Sequence, residues 1–427
     1  MMCSCLQPMS AMIQVDLGDM KKNCLFILVD CLRADKCFGN SRTARTPTID
    51  SLCQRGTAFT QSITTTTTTS PSVASILTGL YPLRHGVRSL SGYKLNPSVR
   101  TLGQIFRDNG YHTYAEVTGA LVPQIGLNKW FEQYNCRRGY ENVYSSWYDD
   151  LLEKFLYRKF EEPWFIFLHL FELHLPRQLR PKYNSRNFGA NGYERALSSL
   201  DASLADLVRC VDDNTIIVFH ADHGEQIAQG MLQEHAVRLT RYPIALGRKL
   251  RLKSASRLHR LGHGFHVYDY LVRVPLIFVG RGILPENKII PAQVRQIDIF
   301  PTIVDLLGLE HPDSRLNGRS LLPLMKGEEL PEIPAYCEAC GGSLGDKSRW
   351  LAGLRTPKWK YVFAPYSNDV ADELYDLEND PAEKENIASK RPRVARELRN
   401  RLLEIRKGDE LDTVRQKVRG LKDLDKI

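Results

Sequence analysis

The chain has no apolar run long enough to cross a bilayer as a helix. Its opening, MMCSCLQPMSAMIQVDLGDMKKN, lacks the basic-then-apolar order of a secretory signal, so the expected compartment is the cytoplasm. The ten cysteines show no dense disulfide-type spacing in 427 residues, which predicts reduced thiols. Cys337 and Cys340 make one CxxC, but a second pair or histidines at ligand spacing are missing, and Cys3 and Cys5 lie far off; the pair reads as coincidence rather than a zinc site. Acidic residues are absent from residues 236–262. That stretch carries Arg238, Arg241, Arg248, Lys249, Arg251, Lys253, Arg257 and Arg260, nearly all of the net charge of +9. Eight unopposed cations there suit an anionic substrate, polymer or headgroup. Specific nucleic-acid binding is not indicated.

With 43% hydrophobic and 25% charged residues, the chain has the composition of a folded globular protein. Short, continuous apolar runs recur at residues 24–30 (CLFILVD), 164–170 (WFIFLHL), 215–222 (TIIVFHAD) and 274–280 (VPLIFVG), as expected of strands buried on both faces. Helical patterns occupy residues 101–109, 193–211 and 298–307. Together these predict an α/β sandwich around a mostly parallel mixed sheet flanked by helices. Beyond residue 326, prolines divide the chain into shorter pieces. WLAGLRTPKWKYVFAP and ELYDLENDP look like strands of a small α+β subdomain. The expected organisation is an extension at 1–22, a catalytic domain at 23–326 with the basic insertion at 236–262, a subdomain at 327–390, and a charged helical tail at 391–427.

The chemistry concentrates at strand ends. Asp30 closes one buried strand and Asp222-His223-Gly224 follows another. Buried carboxylates are costly to leave unpaired, so two at strand ends call for a cation. The third element, TTTTTTSPSVASILTGLYP from Thr64 to Pro82, reads as a threonine-rich loop entering a helix with a proline in its first turn. A hydroxyl at a helix N-terminus also meets the demands of an anion site.

These segments carry a resemblance. NCLFILVDCLRAD, TPTIDSLCQRGTAFTQS, SPSVASILTGLYPLRHGV, TLGQIFRDNGYHT, FELHLP, HADHGE, HGFHVYDYLVRVPLIFVG, DIFPTIVDLLGL, NGRSLLPLM, LRTPKWKYV and ELYDLENDPAEKENIA stand in the order of the sulfatase-like branch of the alkaline phosphatase superfamily. The resemblance spans about Asn23 to Ala388 and implies that superfamily's fold. It makes Asp30, Asp222 and His223 metal ligands, and Thr69, two residues before Pro71, both ligand and nucleophile. True sulfatases resemble Cys or Ser at that position, oxidised to formylglycine. Thr69 cannot give that aldehyde, so no formylglycine is expected. Val73 stands where sulfatases usually show Arg, Cys31 where they show a second Asp, and GYHTYAEVTGAL lacks their usual lysine-histidine pair. Members with Thr resemble phosphodiesterases and phosphoglycerol or phosphoethanolamine transferases.

The expected function is therefore metal-dependent hydrolysis or transfer of phosphoesters through Thr69. The alternatives are sulfate-ester hydrolysis without formylglycine and a catalytically weak polyanion-binding protein. Carboxylate, hydroxyl and imidazole together favour Mn²⁺ or Zn²⁺ over Ca²⁺. His174 of FELHLP and His263 match positions near the transferred group, able to protonate the leaving oxygen or bind substrate. His235 follows a Gln-Glu and competes with His263. In the loop after His174, Arg177, with Arg180 and Lys182, is a further anion contact by charge and position.

Overall fold

In the computed structural model the apolar runs become adjacent strands of one sheet. The structure describes residues 21–39, 41–90, 92–137, 141–227, 262–311, 316–341 and 347–424. The strands are β1 (Asn23–Val29), β2 (Gly56–Ile63), β3 (His112–Thr118), β4 (Gln133–Arg137), β5 (Trp164–Leu170), β6 (Thr215–Ala221), β7 (Arg273–Val279) and β8 (Lys288–Arg295). They form an eight-stranded sheet in the order β4-β3-β5-β1-β6-β7-β2-β8. Only β7 runs against the others, pairing antiparallel with both β6 and β2. This is the mixed, mostly parallel sheet expected of the sequence.

The longer helices are α1 (Pro47–Gln54), α2 (Thr69–Thr78), α3 (Leu102–Asp108), α4 (Ser146–Leu156), α5 (Gly192–Cys210) and α6 (Ile299–Leu306). They divide between the sheet's two faces because strand side chains alternate. Cys24, Phe26 and Leu28 of β1 pack with Phe165 and Phe167 of β5 and with Val73, Ala74, Ile76 and Leu77 of α2. Leu25, Ile27 and Val29 point the other way, among Ala196, Leu197, Leu200 and Leu204 of α5. Burying a large aliphatic side chain of this kind contributes about 1.5–3 kcal/mol, so each face holds its helix layer firmly.

A second, antiparallel sheet follows: β9 (Ala335–Ala339), β10 (Leu351–Arg355), β11 (Trp359–Phe363) and β12 (Glu373–Asp376), in the order β12-β11-β10-β9. Helix α7 (Pro392–Leu424) lays Leu398 and Leu402 against it, beside Leu354, Tyr361 and Leu374. Arg355 on β10 bonds Gln293 of β8 and Gln61 of β2, and two further contacts tie this sheet to the rest of the domain. Lys360, fully buried, sits 2.6 Å from both Asp269 and Glu383, and Arg355 reaches Asp269 at 2.9 Å. Glu338 on β9 donates its N–H to the Thr65 carbonyl at 2.8 Å and accepts from the Thr67 N–H at 3.2 Å. Because of that second contact, the loop leading into α2 is held by the small sheet.

Candidate active site

Three neighbouring parallel strands, β5, β1 and β6, deliver the site. Val29 is in register with Ala221, so Asp30 and Asp222 leave adjacent strands at the same level. The Asp30 N–H bonds the Leu170 carbonyl at 2.8 Å, which fixes the turn out of β1. Both carboxylates lie on the face covered by α2, and both are fully buried. This is the carboxyl end of the parallel strands, where open α/β sheets place their ligands.

Helix α2 brings the hydroxyl. Thr69 is its first residue, and the helix ends at Gly79 in the left-handed conformation (φ 66°) beneath Phe300. The threonine run before it is no loose loop: residues 64–69 are all buried. Thr64 and Ser72 hydroxyls each donate to the Asp222 carbonyl at 2.7 Å, bracing the turn behind that carboxylate. The Thr69 hydroxyl donates to Asp30 Oδ2 at 3.2 Å and lies 3.3 Å from His223 Nε2. His223 Nδ1 is 2.9 Å from the Gly224 carbonyl and its Nε2 is 3.2 Å from Asp222 Oδ2. Gly224 is required by close approach, since a Cβ there would fall 2.1 Å from the Tyr270 carbonyl oxygen. Asp30, Thr69, Asp222 and His223 thus lie together.

The electrostatics call for a cation. Burial raises the Asp222 pKa, and the charge on Asp30 raises it further. Burial acts the same way on Asp30, but the imidazoles of His169, His174 and His223 outweigh it and hold this carboxyl well below the ordinary range. Two adjacent buried carboxylates do not both ionise without compensation. Asp30 Oδ1 and Asp222 Oδ2 are moreover buried without a hydrogen-bond partner. Orphaned anionic oxygens in a water-excluded site are expensive, and a divalent cation between them satisfies both. The donor set therefore fits a metal ion.

His263 and His174 form the opposite wall. The His263 ring lies 4.4 Å from that of His223 and 5.2 Å from that of His174, centroid to centroid. His263 Nδ1 is 3.2 Å from Glu225 Oε2. Burial would raise the Glu225 pKa, but His263 dominates and brings it down to about 2. Reciprocally, burial disfavours the His263 cation, while Glu225 overcomes this and raises its pKa. His174 stacks on Phe171 at 4.2 Å, and its Nδ1 lies 2.8 Å from the Leu175 carbonyl. Arg177 sits on the same loop, its Nε donating to the Leu173 carbonyl at 3.2 Å and its guanidinium over the Tyr193 ring at 5.3 Å. His235 and the basic stretch 236–262, apart from Gly262, lie outside the described residues. Cys337 and Cys340 are buried free thiols, and among the described residues neither joins a cluster of metal-type side chains.

Sequence reasoning missed Glu225 and His169, and marked Cys31 only by its departure from the family pattern. Glu225 is the partner of His263. Cys31 takes a left-handed conformation (φ 64°), donates its N–H to Asp222 Oδ1 at 3.1 Å and places Sγ 3.7 Å from His263 Nδ1. His169 lies inside β5 with Nε2 3.4 Å from Asp30 Oδ2. A polar residue within a seven-residue apolar strand was the available signal.

The sulfatase family profile matches residues 22–309, two thirds of the chain. The chain belongs to the sulfatase family. A second profile, the C-terminal part of N-sulphoglucosamine sulphohydrolase, matches residues 259–408. Arylsulfatase K of Mus musculus is 27% identical over 225 residues, covering 50% of this chain and 35% of its own length. The chain thus spans about a third of that relative. Arylsulfatase D of Homo sapiens is 23% identical, with 87% of this chain and 80% of the relative covered. N-acetylgalactosamine-6-O-sulfatase of Bacteroides thetaiotaomicron is 22% identical, with 90% and 94% covered. Among solved structures, the phosphonate monoester hydrolase of Agrobacterium radiobacter superposes with a TM-score of 0.71 at 19% identity, covering 91% of this chain and 96% of that one. A structure in complex with D-glucosamine-2-N,6-O-disulfate gives 0.71 at 17% identity, covering 92% and 99%. These structural likenesses establish the shared fold.

Proposed function

We propose that the protein is a metal-dependent enzyme that cleaves or transfers anionic esters, with Thr69 as nucleophile and phosphoesters as the preferred class. One observation carries the reading: a threonine hydroxyl, first in a buried helix, lies 3.2 Å from Asp30 and 3.3 Å from His223. The fold does not choose between sulfur and phosphorus, because its neighbours are named for a phosphonate ester and for a sulfated sugar alike. The nucleophile supports phosphorus, since a threonine cannot become the formylglycine aldehyde.

In the mechanism, Asp30, Asp222, His223 and the Thr69 hydroxyl would hold the cation. Such an ion would lower the hydroxyl pKa and offset charge on the transferring group. The carboxylates and the histidine nitrogen support Mn²⁺ or Zn²⁺ over Ca²⁺, which prefers a shell of hard oxygens. Thr69 Oγ1 attacks phosphorus as the alkoxide, its proton already lost to solvent, and Asp30 Oδ2, to which the hydroxyl donates, orients it. The Oγ–P bond forms and the bond to the leaving oxygen breaks. His263, whose pKa Glu225 raises, gives that oxygen its proton. Water or an acceptor alcohol then attacks phosphorus, losing its proton to His263 and releasing Thr69. His174 and Arg177 bind the remaining ester oxygens. The same groups would serve sulfate-ester hydrolysis, the second reading, favoured by the family profile and by relatives named as sulfatases. The basic stretch at 236–262 draws in an anionic substrate, polymer or headgroup. The buried free thiols Cys31, Cys37 and Cys337 support a cytoplasmic location.

Chromogenic phosphodiester, phosphomonoester and sulfate ester, each with Mn²⁺, Zn²⁺, Mg²⁺ or Ca²⁺, test the reading. Turnover of a phosphoester should fall by about a thousandfold or more in Thr69→Ala and Asp222→Ala, and a phosphorylated Thr69 should be trapped on rapid acid quench. Wild-type turnover in Thr69→Ala would remove the nucleophile assignment. Turnover of the sulfate ester alone would favour the second reading, and salt-sensitive polyanion binding without turnover would leave a binding protein.

A further inference from the structure

The cation site contains one more donor than the family resemblance supplies. Strand alternation puts Phe165, Phe167 and His169 of β5 on the face of the sheet shared with Phe26, Leu28 and Asp30 of the β1 side. β6 on the other flank of β1 brings Asp222 to the same level. A ring nitrogen of His169, an oxygen of Asp30 and an oxygen of Asp222 all lie within 4.8 Å of one another, and Nε2 is the nitrogen facing Asp30 Oδ2, at 3.4 Å. All three residues are fully buried. In each of them an atom is left without a hydrogen-bond partner: Asp30 Oδ1, Asp222 Oδ2 and His169 Nε2.

That coincidence is hard to explain as ordinary packing. A buried histidine beside a carboxylate normally donates a hydrogen bond to it, but here Nε2 stands 3.4 Å from Asp30 Oδ2 and off the hydrogen-bonding line. The other ring nitrogen, Nδ1, has its own partner in the Thr118 hydroxyl at 3.2 Å. In the tautomer that donates Nδ1–H to Thr118, Nε2 presents a lone pair toward the carboxylates. Three acceptors converging in a dry interior cost several kcal/mol in the absence of a positive charge. Ligating histidines characteristically have their second nitrogen held in this way, which fixes tautomer and ring orientation.

We propose that His169 Nε2 is a protein ligand of the cation held by Asp30, Asp222 and His223. This rests on the metal-dependent reading above. It places one imidazole on β5 and one after β6, with the carboxylates between, and it adds a nitrogen where Cys31 withholds an oxygen donor. The resulting nitrogen-rich set selects against Ca²⁺.

The test is equilibrium binding of Co²⁺ and Mn²⁺ to the full chain freed of metal, by calorimetry and by the visible absorption of bound Co²⁺. Wild type, His169→Asn, Thr118→Val and Asp222→Asn are compared. His169→Asn should bind Co²⁺ at least about a hundredfold more weakly, with a shifted and altered visible band. Thr118→Val leaves the ring in place and removes only its Nδ1 partner; about a tenfold loss with a smaller band shift is expected. Should His169→Asn fail to fold, Thr118→Val decides the matter. Wild-type affinity and spectrum in the folded histidine variant, or in Thr118→Val if that is the one that folds, overturn the proposal while Asp222→Asn still loses metal. Failure of the wild type itself to bind either ion would instead overturn the metal-dependent reading, and this proposal with it.

Discussion

Glu338→Gln should weaken both the fold and the reaction, although residue 338 touches neither Asp30 nor His223. Glu338 is buried on β9 and receives Arg88 in a bidentate pair at 2.7 and 2.8 Å. Its Oε2 also accepts from Tyr336 at 2.6 Å, and Tyr336 in turn accepts from Arg406 of α7 at 3.0 Å. Losing one partner of a buried pair costs about 3–5 kcal/mol, because the other charge stays behind uncompensated. Glutamine keeps one acceptor oxygen for Arg88, which points to the low end of that range. At about 2.1 cal/mol/K of unfolding entropy per residue, a cooperative unit of about 400 residues carries roughly 0.8–0.9 kcal/mol/K, so a loss of about 3 kcal/mol lowers Tm by about 3–4 °C. The pH dependence fixes the cause. Burial would raise the Glu338 pKa, yet Arg88 prevails and lowers it. A depressed carboxylate stabilises the fold above the ordinary glutamate range and loses that contribution as pH falls through its folded value. The Tm gap between wild type and variant should therefore be full at pH 7 and narrow toward pH 4. Since Glu338 also pairs with Thr65 and Thr67, kcat should fall more than KM rises as the entry to α2 loosens. Scanning calorimetry at both pH values, with steady-state kinetics well below Tm, measures all of this. An unchanged Tm at pH 7, or a gap of the same size at pH 4, would refute the reasoning.

Glu225→Gln removes the carboxylate that raises the His263 pKa, so the alkaline limb of the kcat profile should move to lower pH; an unmoved limb would exclude His263 as the proton donor. Cys31→Asp supplies a further carboxylate beside Asp30, Asp222 and Glu225, at a backbone position (φ 64°) that Asp tolerates better than most residues. It should lower Tm of the metal-free chain, regain it with divalent ions, and raise Ca²⁺-supported turnover relative to Mn²⁺; equal ion preference in the two proteins would count against the donor argument. Replacing the arginines and lysines of residues 236–262 by glutamine should raise KM for a polyanionic ester at low salt and flatten its salt dependence, whereas matching KM curves across salt concentrations would remove the steering role.

The strands that were legible in the sequence are those in the middle of the sheet. β1, β5, β6 and β7 are buried on both faces, so their runs are continuously apolar and their limits fall within a residue of expectation. The unassigned strands were the mixed or marginal ones: β4 (QYNCR) is polar because it is an edge strand, β8 (KIIPAQVR) is the other edge and carries Pro291, and β2 (GTAFTQSI) and β3 (HTYAEVT) have only intermittent apolar character. The site divides along the same physical line. Asp30, Thr69, Asp222 and His223 follow from strand ends, a helix start and a family resemblance, all local in sequence. His169 and Glu225 acquire meaning only through register, which aligns Leu28 with His169, and through chain crossings that bring residue 225 beside residue 263. The departures from the sulfatase pattern also become intelligible together. Where Cys31 takes the place of a carboxylate, His169 approaches Asp30 from the neighbouring strand, and the Thr69 hydroxyl, the proposed nucleophile, meets imidazole as well as carboxylate. On the proposed reading the donor set shifts from oxygen toward nitrogen as a unit, so metal preference and nucleophile chemistry should change together in any variant that reverses one of them.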